Sequence, residues 1–375
     1  MNVLVVSGIW PPDVGGPASH APAVADFLHG RGHGIEVVVT ADRAPERRAY
    51  PVRHTSRALP VGARHAHAAL LAARAARRAD VVYTTGMFAR SGLAATLARR
   101  PFVVKLTGDP AFERLRARGA VAGDVDEFQE RGGGPPGEAL RRLRDATLRR
   151  AAHVFCPSAY LRDLVLAWGV AADRVSVLPN PAPSPPAASR DELRRRLGID
   201  GPTLVFAGRL TAQKDLPVLL AALLDVEDVA LLVAGEGPEL PGVERLVREL
   251  GLGDRVRLLG PQPRERVVEL FAAADAAVLS SRWENFPHTV VEALAAGAPV
   301  ISTDVGGVAE AVRDGESGLL VPPRRPDLMA DAIRRYFADG ELRERLRDAA
   351  PAAAAPYAVA VVFERLEAVL AACAR

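Results

Sequence analysis

Between Asn180 and Ser189 the chain reads Asn-Pro-Ala-Pro-Ser-Pro-Pro-Ala-Ala-Ser, and the same alternation of apolar runs with helix-like stretches occurs on either side of it. A segment this rich in proline continues neither a helix nor a central strand, so it marks a domain boundary. The length of 375 residues agrees, since it exceeds the size at which one hydrophobic core keeps growing. Ahead of the connector, strand candidates lie at Asn2 to Ser7, Ile35 to Thr40, Val81 to Thr84, Phe102 to Leu106, His153 to Pro157 and Val175 to Leu178. After it come Thr203 to Ala207, Val229 to Ala234, Val256 to Leu259, Ala276 to Leu279, Pro299 to Ser302 and Gly318 to Val321. Strands separated by helical stretches are the mark of parallel sheets covered on both faces. The expected architecture is α/β, with a first domain over residues 1–180, a proline-rich linker over 181–200 and a second domain over 201–353. A final helix over 354–375 is expected to pack back on the first domain. Two such sheets present loops at the carboxyl ends of their strands, facing a central cleft. The charged stretch from Pro110 to Arg150, broken by Gly132-Gly133-Gly134-Pro135-Pro136-Gly137, is expected to be mobile or looped and suits acceptor selection.

Composition narrows the class. Hydrophobic residues make up 49% and charged residues 25%, an ordinary globular balance. The longest apolar runs fall far short of the ~20 residues that cross a bilayer. The start, Met-Asn-Val-Leu-Val-Val-Ser-Gly, lacks the pattern of a secretory signal, so a cytoplasmic protein is expected. Two cysteines, Cys156 and Cys373, suggest neither a disulfide framework nor a thiolate metal cluster, and scattered histidines without ligand spacing give no metal site. Lys and Arg outnumber Asp and Glu by 25 to 16 over residues 1–180 and trail them 23 to 29 afterward. A basic first half is compatible with an anionic acceptor or with peripheral contact to the inner face of a membrane, although scattered arginine more often marks a solvated helix face. No nucleic-acid partner is expected. Of the 48 basic residues only Lys105 and Lys214 are lysine, which singles both out.

Three stretches carry chemistry. The first runs from Ser280 to Gly297 and includes Arg282-Trp283-Glu284-Asn285-Phe286-Pro287-His288-Thr289 and Glu292. It follows a strand candidate and opens a helix near Pro287, placing free backbone N–H groups where an anion such as a diphosphate can sit. Glu284 and Glu292, with seven residues between them, could flank one ligand and accept hydrogen bonds from its hydroxyls. An isolated glutamate pair is more often a helix cap and a surface acid. The second stretch, Gly208-Arg209-Leu210-Thr211-Ala212-Gln213-Lys214, ends another strand; Gly208 allows close approach, Arg209 offers a planar fork to phosphate oxygens and Lys214 adds a point charge. The third, Gly8 to Pro17, places Gly15 and Gly16 after the first strand, where the loop can approach a ligand. It is neither a GxGxxG fingerprint nor a Walker sequence. Gly235-Glu236-Gly237-Pro238 reads as a strand-to-helix turn that could line a base pocket.

Together these residues resemble the family 4 retaining glycosyltransferases, most strongly from Gly208 to Pro322. The family's spaced glutamate pair corresponds to Glu284 and Glu292, its Gly-Arg and downstream Lys to Gly208, Arg209 and Lys214, and its amino-terminal double glycine to Gly15-Gly16. The resemblance implies the GT-B fold, two Rossmann-like domains facing a cleft. It implies a nucleotide diphosphate sugar as donor, no cofactor and no metal. Arg209 and Lys214 would hold the diphosphate, Glu284 the transferred sugar and Glu292 the ribose, with Asn285, Phe286, Pro287, His288 and Thr289 touching sugar and phosphate. Net retention at the anomeric carbon follows, with the leaving phosphate oxygen assisting deprotonation of the acceptor. Where many relatives carry a histidine in the first-domain loop, this chain has Lys105-Leu106-Thr107-Gly108-Asp109-Pro110, and Asp109 is the candidate for that catalytic place; a turn-forming Asp before Pro is the equal alternative. His20 and His288 carry little weight. A nucleotide-sugar epimerase of similar fold lacks the glutamate arrangement, whereas a silent nucleotide-sugar-binding pseudo-glycosyltransferase keeps it. Donor base, acceptor and oligomeric state are not legible.

Overall fold

A computed structural model of the chain describes residues 1–11, 16–121 and 123–374. The chain divides into two compact units, Met1–Pro179 with Val362–Arg375, and Asn180–Val361.

Among the described residues the first unit holds seven strands: β1 (Asn2–Ser7), β2 (Gly34–Ala41), β3 (Val52–Ser56), β4 (Val81–Thr84), β5 (Phe102–Lys105), β6 (His153–Cys156) and β7 (Val175–Val177). They pair in parallel in the order β3-β2-β1-β4-β5-β6-β7. Because side chains alternate along a strand, one strand feeds two cores. Leu4, Val6, Val82, Val104 and Val154 pack on one side of the sheet, and Val3, Val5, Val81, Val103 and Phe155 on the other. That double burial is why these strands read as continuous apolar runs. The last helix, Val359–Cys373, lays Val362, Phe363, Leu366 and Leu370 into the second of these cores, beside Trp10 and Leu28. His33 Nε2 and Glu367 Oε1 pair at 2.7 Å across the same contact. The carboxy-terminal segment thus belongs to the first unit, while the helix Gly340–Ala354 ahead of it contributes Ala350 and Ala354 to the second.

The second unit holds β8 (Thr203–Ala207), β9 (Ala230–Ala234), β10 (Val256–Gly260), β11 (Ala276–Leu279), β12 (Val300–Thr303) and β13 (Gly318–Val321) among the described residues, all parallel in the order β10-β9-β8-β11-β12-β13. Leu204, Phe206, Leu231 and Val233 face one core; Val205, Ala207, Leu232 and Ala234 face the other. In each sheet the first strand is the one from which the order reverses: β1 lies between β2 and β4, and β8 between β9 and β11. Ligands of open α/β sheets bind outside the carboxyl ends of the strands at such a reversal.

Three expectations are corrected. Strand β3 is absent from the sequence reading because its residues, Val-Arg-His-Thr-Ser, form a polar edge with only Thr55 buried. The linker does not extend to residue 200: once the prolines end, Ser189 caps the helix Arg190–Leu197, its Oγ accepting from Glu192 N, and Leu193 enters the second unit's core. The stretch after Pro110 is helical rather than looped, with helices Pro110–Arg116, Val125–Arg131 and Gly134–Leu148. Its prolines sit in helix first turns, where no intrahelical donor is lost, and Phe112, Leu115, Phe128 and Leu148 are buried.

Candidate functional site

The reversal in the second unit lies between β8 and β11, and the loops leaving these two strands are tied together. Arg282 N donates to Gln213 O at 2.8 Å, Gln213 Nε2 to Trp283 O at 2.9 Å, and Ser280 Oγ to Lys214 O at 2.9 Å. Arg282 grips Asp215 through Nε and Nη2, at 2.7 and 2.9 Å. That hydrogen-bonded pairing raises the Arg282 guanidinium pKa above its ordinary value. With its backbone so held, the turn Ala212–Lys214 delivers the Lys214 ammonium to Glu284: Nζ donates to Oε1 at 2.5 Å, and Ser281 Oγ donates to the same oxygen at 2.6 Å. The side chains are 14% and 7% exposed, so the pair sits in a medium where charge is felt strongly.

Two glycines make this loop packing possible. A Cβ on Gly306 (φ +53°) would stand 1.7 Å from the Glu284 carbonyl oxygen, and one on Gly235 (φ +153°) would stand 1.9 Å from the Gly208 carbonyl oxygen. No other residue fits either place without moving backbone. Next to Gly306, Gly307 N donates to Asn285 O at 3.0 Å.

Pro287 ends the loop and the helix His288–Ala295 begins; no side chain caps it. Its first-turn N–H groups therefore add positive potential at the carboxyl edge of β11. Thr289 Oγ1, in that turn, is buried with no hydrogen-bond partner among the described residues. A buried orphan hydroxyl calls for a partner of its own. Phe286 packs on Tyr357, ring centroids 5.5 Å apart, and its carbonyl accepts from Asn180 Nδ2 at 3.3 Å. One and a half turns into the helix, Glu292 is 7% exposed and its Oε1 accepts from Arg264 Nε at 2.8 Å. Arg209, directly after Gly208, is exposed and makes no ion pair among the described residues. The structure thus gathers Gly208, Arg209, Lys214, Glu284, Asn285, Phe286 and Pro287 on the adjacent loops of one sheet edge, with His288, Thr289 and Glu292 on the helix that follows. Gly306 and Arg264 were not picked out from the sequence, whereas Gly235 lies in the strand-to-helix turn Gly235-Glu236-Gly237-Pro238 and Ser281 in the stretch that begins at Ser280. The Gly306-Gly307 pair after a strand was a usable signal; the Arg264 contact, made across 28 residues, was not.

Elsewhere the expectations fare differently. Gly15 lies outside the described residues, and Gly16 opens the helix Gly16–Gly30. Asp109 does not present its carboxylate: it is fully buried at the start of the helix Pro110–Arg116. Oδ1 accepts from Ala111 N and Phe112 N, and Oδ2 from Gln129 Nε2 at 3.0 Å and Arg144 Nη1 at 2.5 Å. Arg144 also stacks on Trp168, 3.6 Å from the ring centroid. With its lone pairs committed, Asp109 is a structural cap rather than a catalytic acceptor. His20 is a core residue whose Nε2 meets Tyr83 Oη at 2.8 Å. Burial pushes the Cys156 thiol up to about 12, consistent with an inert packing role. No three His, Cys, Asp or Glu side chains among the described residues form a group able to hold a metal ion, and no described helix is long and apolar enough to cross a membrane.

Comparison with known proteins identifies the family. Residues 15–181 match the family described as glycosyl transferase 4-like domain, and residues 189–353 the one described as glycosyl transferases group 1. The chain is 34% identical over 291 residues to a D-inositol 3-phosphate glycosyltransferase of Xylanimonas cellulosilytica, covering 73% of this chain and 67% of that one. It is 35% identical over 185 residues to the alpha-D-kanosaminyltransferase of Streptomyces kanamyceticus, 48% of each. In several of these matches the chain spans about half the length of the curated relative. Among solved structures, Anabaena HepE in complex with UDP-glucose superposes with a TM-score of 0.80 at 21% identity, over 99% of this chain and 100% of that one. Sucrose-phosphate synthase of Thermosynechococcus elongatus gives 0.79 at 20% identity, over 98% of each chain. With two Rossmann-like units, both family matches and a relative aligned over most of its length, the chain belongs to the family 4 glycosyltransferases of the GT-B fold.

Proposed function

We propose that the protein transfers a sugar, with retention of anomeric configuration, from a nucleoside diphosphate to an acceptor hydroxyl, and that the second unit binds the donor. The observation that carries this reading is the Lys214–Glu284 contact beside exposed Arg209, at the reversal of the β8–β11 edge. An ammonium has three donors, so Lys214 can keep Glu284 and still reach a phosphate oxygen. Arg209 adds a planar fork, and the uncapped helix start and Thr289 Oγ1 supply further donors to the diphosphate. Glu284 then faces the sugar hydroxyls. Glu292, steadied by Arg264, faces the ribose.

The bond between the anomeric carbon and the phosphate oxygen breaks, and the electron pair leaves with the nucleoside diphosphate. The acceptor oxygen bonds to that carbon on the same face, and its proton passes to the departing phosphate oxygen. Negative charge on the leaving group grows as the bond opens, which is where two fixed cations stabilise most. Their charge takes the place a divalent cation would otherwise fill, so transfer is metal-independent. HepE was solved with UDP and with UDP-glucose, which makes uridine diphosphate sugars the first donors to test. Incubation with UDP-glucose and an accepted alcohol, followed by proton NMR of the new anomeric centre, is expected to show the donor's own configuration, unchanged in rate by EDTA. An inverted product, or loss of activity restored by added metal, contradicts the mechanism.

A further inference from the structure

The first unit carries a second concentration of charge that the donor site does not use. Arg64, Arg90 and Arg114 come from three different helices, Val61–Ala76, Phe88–Ala98 and Pro110–Arg116, and none makes an ion pair among the described residues. They lie close enough to act on one another. Burial first, then the charges of Arg114 and Arg64, depress the Arg90 guanidinium pKa. Burial first, then the same three arginines, depress the His65 imidazole pKa. Four basic groups converge with no carboxylate among the influences on either.

Arg90 and Arg114 open into a groove of about 200 Å³ at the carboxyl ends of β4 and β5, walled by Met87, Phe88, Leu140 and Leu143. Around it, apolar side chains stand in solvent. Leu143 is 48% exposed, Leu93 56% and Leu97 67%. Arg90, Leu93 and Leu97 sit at i, i+3 and i+7, so they form one stripe along the helix Phe88–Ala98. Exposed leucines interleaved with unpaired arginines on one face are what an anionic bilayer surface takes up: the guanidinium groups meet lipid phosphates while the leucines enter the acyl boundary.

We infer that this face of the first unit, built from Arg64, Arg90, Arg114, Leu93, Leu97 and Leu143, docks on an anionic phospholipid membrane. A small phosphorylated ligand filling the groove would leave Leu93 and Leu97 in water; a bilayer covers them. The inference stands independently of the donor proposed above. It also gives the acceptor an address, since a protein held on this face works on hydroxyls presented at a membrane surface.

Co-sedimentation of the full chain with phosphatidylcholine vesicles, with and without phosphatidylglycerol, tests it. Binding is expected only with the anionic lipid and weakens as salt rises. The paired variant R90E/R114E should lower partitioning about tenfold or more, from the ~1 kcal/mol that each basic residue contributes near an anionic leaflet and the reversal of both charges. The paired variant L93S/L97S, at exposed positions, should weaken binding while leaving its salt dependence in place. Both should keep the wild-type melting temperature and UDP affinity, which separates loss of docking from loss of fold or of the donor site. Failure of the wild type to partition onto anionic vesicles, or partitioning of both variants undiminished from the wild type, overturns the inference. Uptake of glycerol 3-phosphate by calorimetry without vesicle binding overturns it in favour of a soluble phosphorylated ligand.

Discussion

Lys214 and Lys105, the only lysines in the chain, occupy opposite environments. Lys214 is matched by Glu284 and reaches the sheet edge. Lys105 is 1% exposed at the end of β5, donates to the Leu178 carbonyl, and is held by burial at a pKa of about 7 against an ordinary 10.5. Between those two values the unfolded chain binds more protons than the folded one, so this residue's contribution to stability rises as pH rises through that window. Lys105→Met removes the effect. Denaturant midpoints of both proteins should show the wild type gaining on the variant from about pH 7 to pH 10; a constant difference would rule out the depressed ammonium. At this scale the sequence was partly legible. Glu284, Glu292, Arg209 and Lys214 stood out because charge beside a strand end is a chemical statement in itself. For Asp109 the sequence left a catalytic place and a turn-forming one equally open, because its partners, Gln129 and Arg144, lie 20 and 35 residues away in a stretch read as loop.

At the scale of elements, position is fixed by loops pressed against one another. Gly306 follows β12 yet its conformation is demanded by the carbonyl of Glu284, which follows β11. Gly306→Ala forces that carbonyl aside or strains a left-handed backbone, so a cost of about 1–3 kcal/mol is expected, read as a lowered melting temperature. Because the displaced carbonyl belongs to Glu284, nucleotide affinity should fall as well. An unaltered melt together with unaltered UDP binding would show that the contact does not set the site. Most strands could be read directly, since burial on both faces leaves uninterrupted apolar runs such as Leu204-Val205-Phe206. Strand β3 could not, because an edge strand with polar faces has no such run. The helices after Pro110 were hidden by glycines and prolines that serve as helix starts.

For the whole molecule, the proline-dense connector at 180–189 correctly foretold two α/β units, because proline's missing donor acts wherever the residue stands. The last helix joins the first unit because Val362, Phe363, Leu366 and Leu370 share a core with Trp10 and Leu28. The proposed division of labour puts donor chemistry on the second unit and an arginine- and leucine-bearing face on the first. The central claim is that the cations Arg209 and Lys214 hold a diphosphate. Isothermal calorimetry of UDP and UDP-glucose against the wild type, Arg209→Ala and Lys214→Ala tests it most directly. Arg209 is exposed, so its variant keeps the fold, and each lost charged hydrogen bond should weaken binding by ~1.5–3 kcal/mol, about tenfold or more. Undiminished affinity in both variants, or no uptake of any nucleoside diphosphate by the folded wild type, would contradict the account.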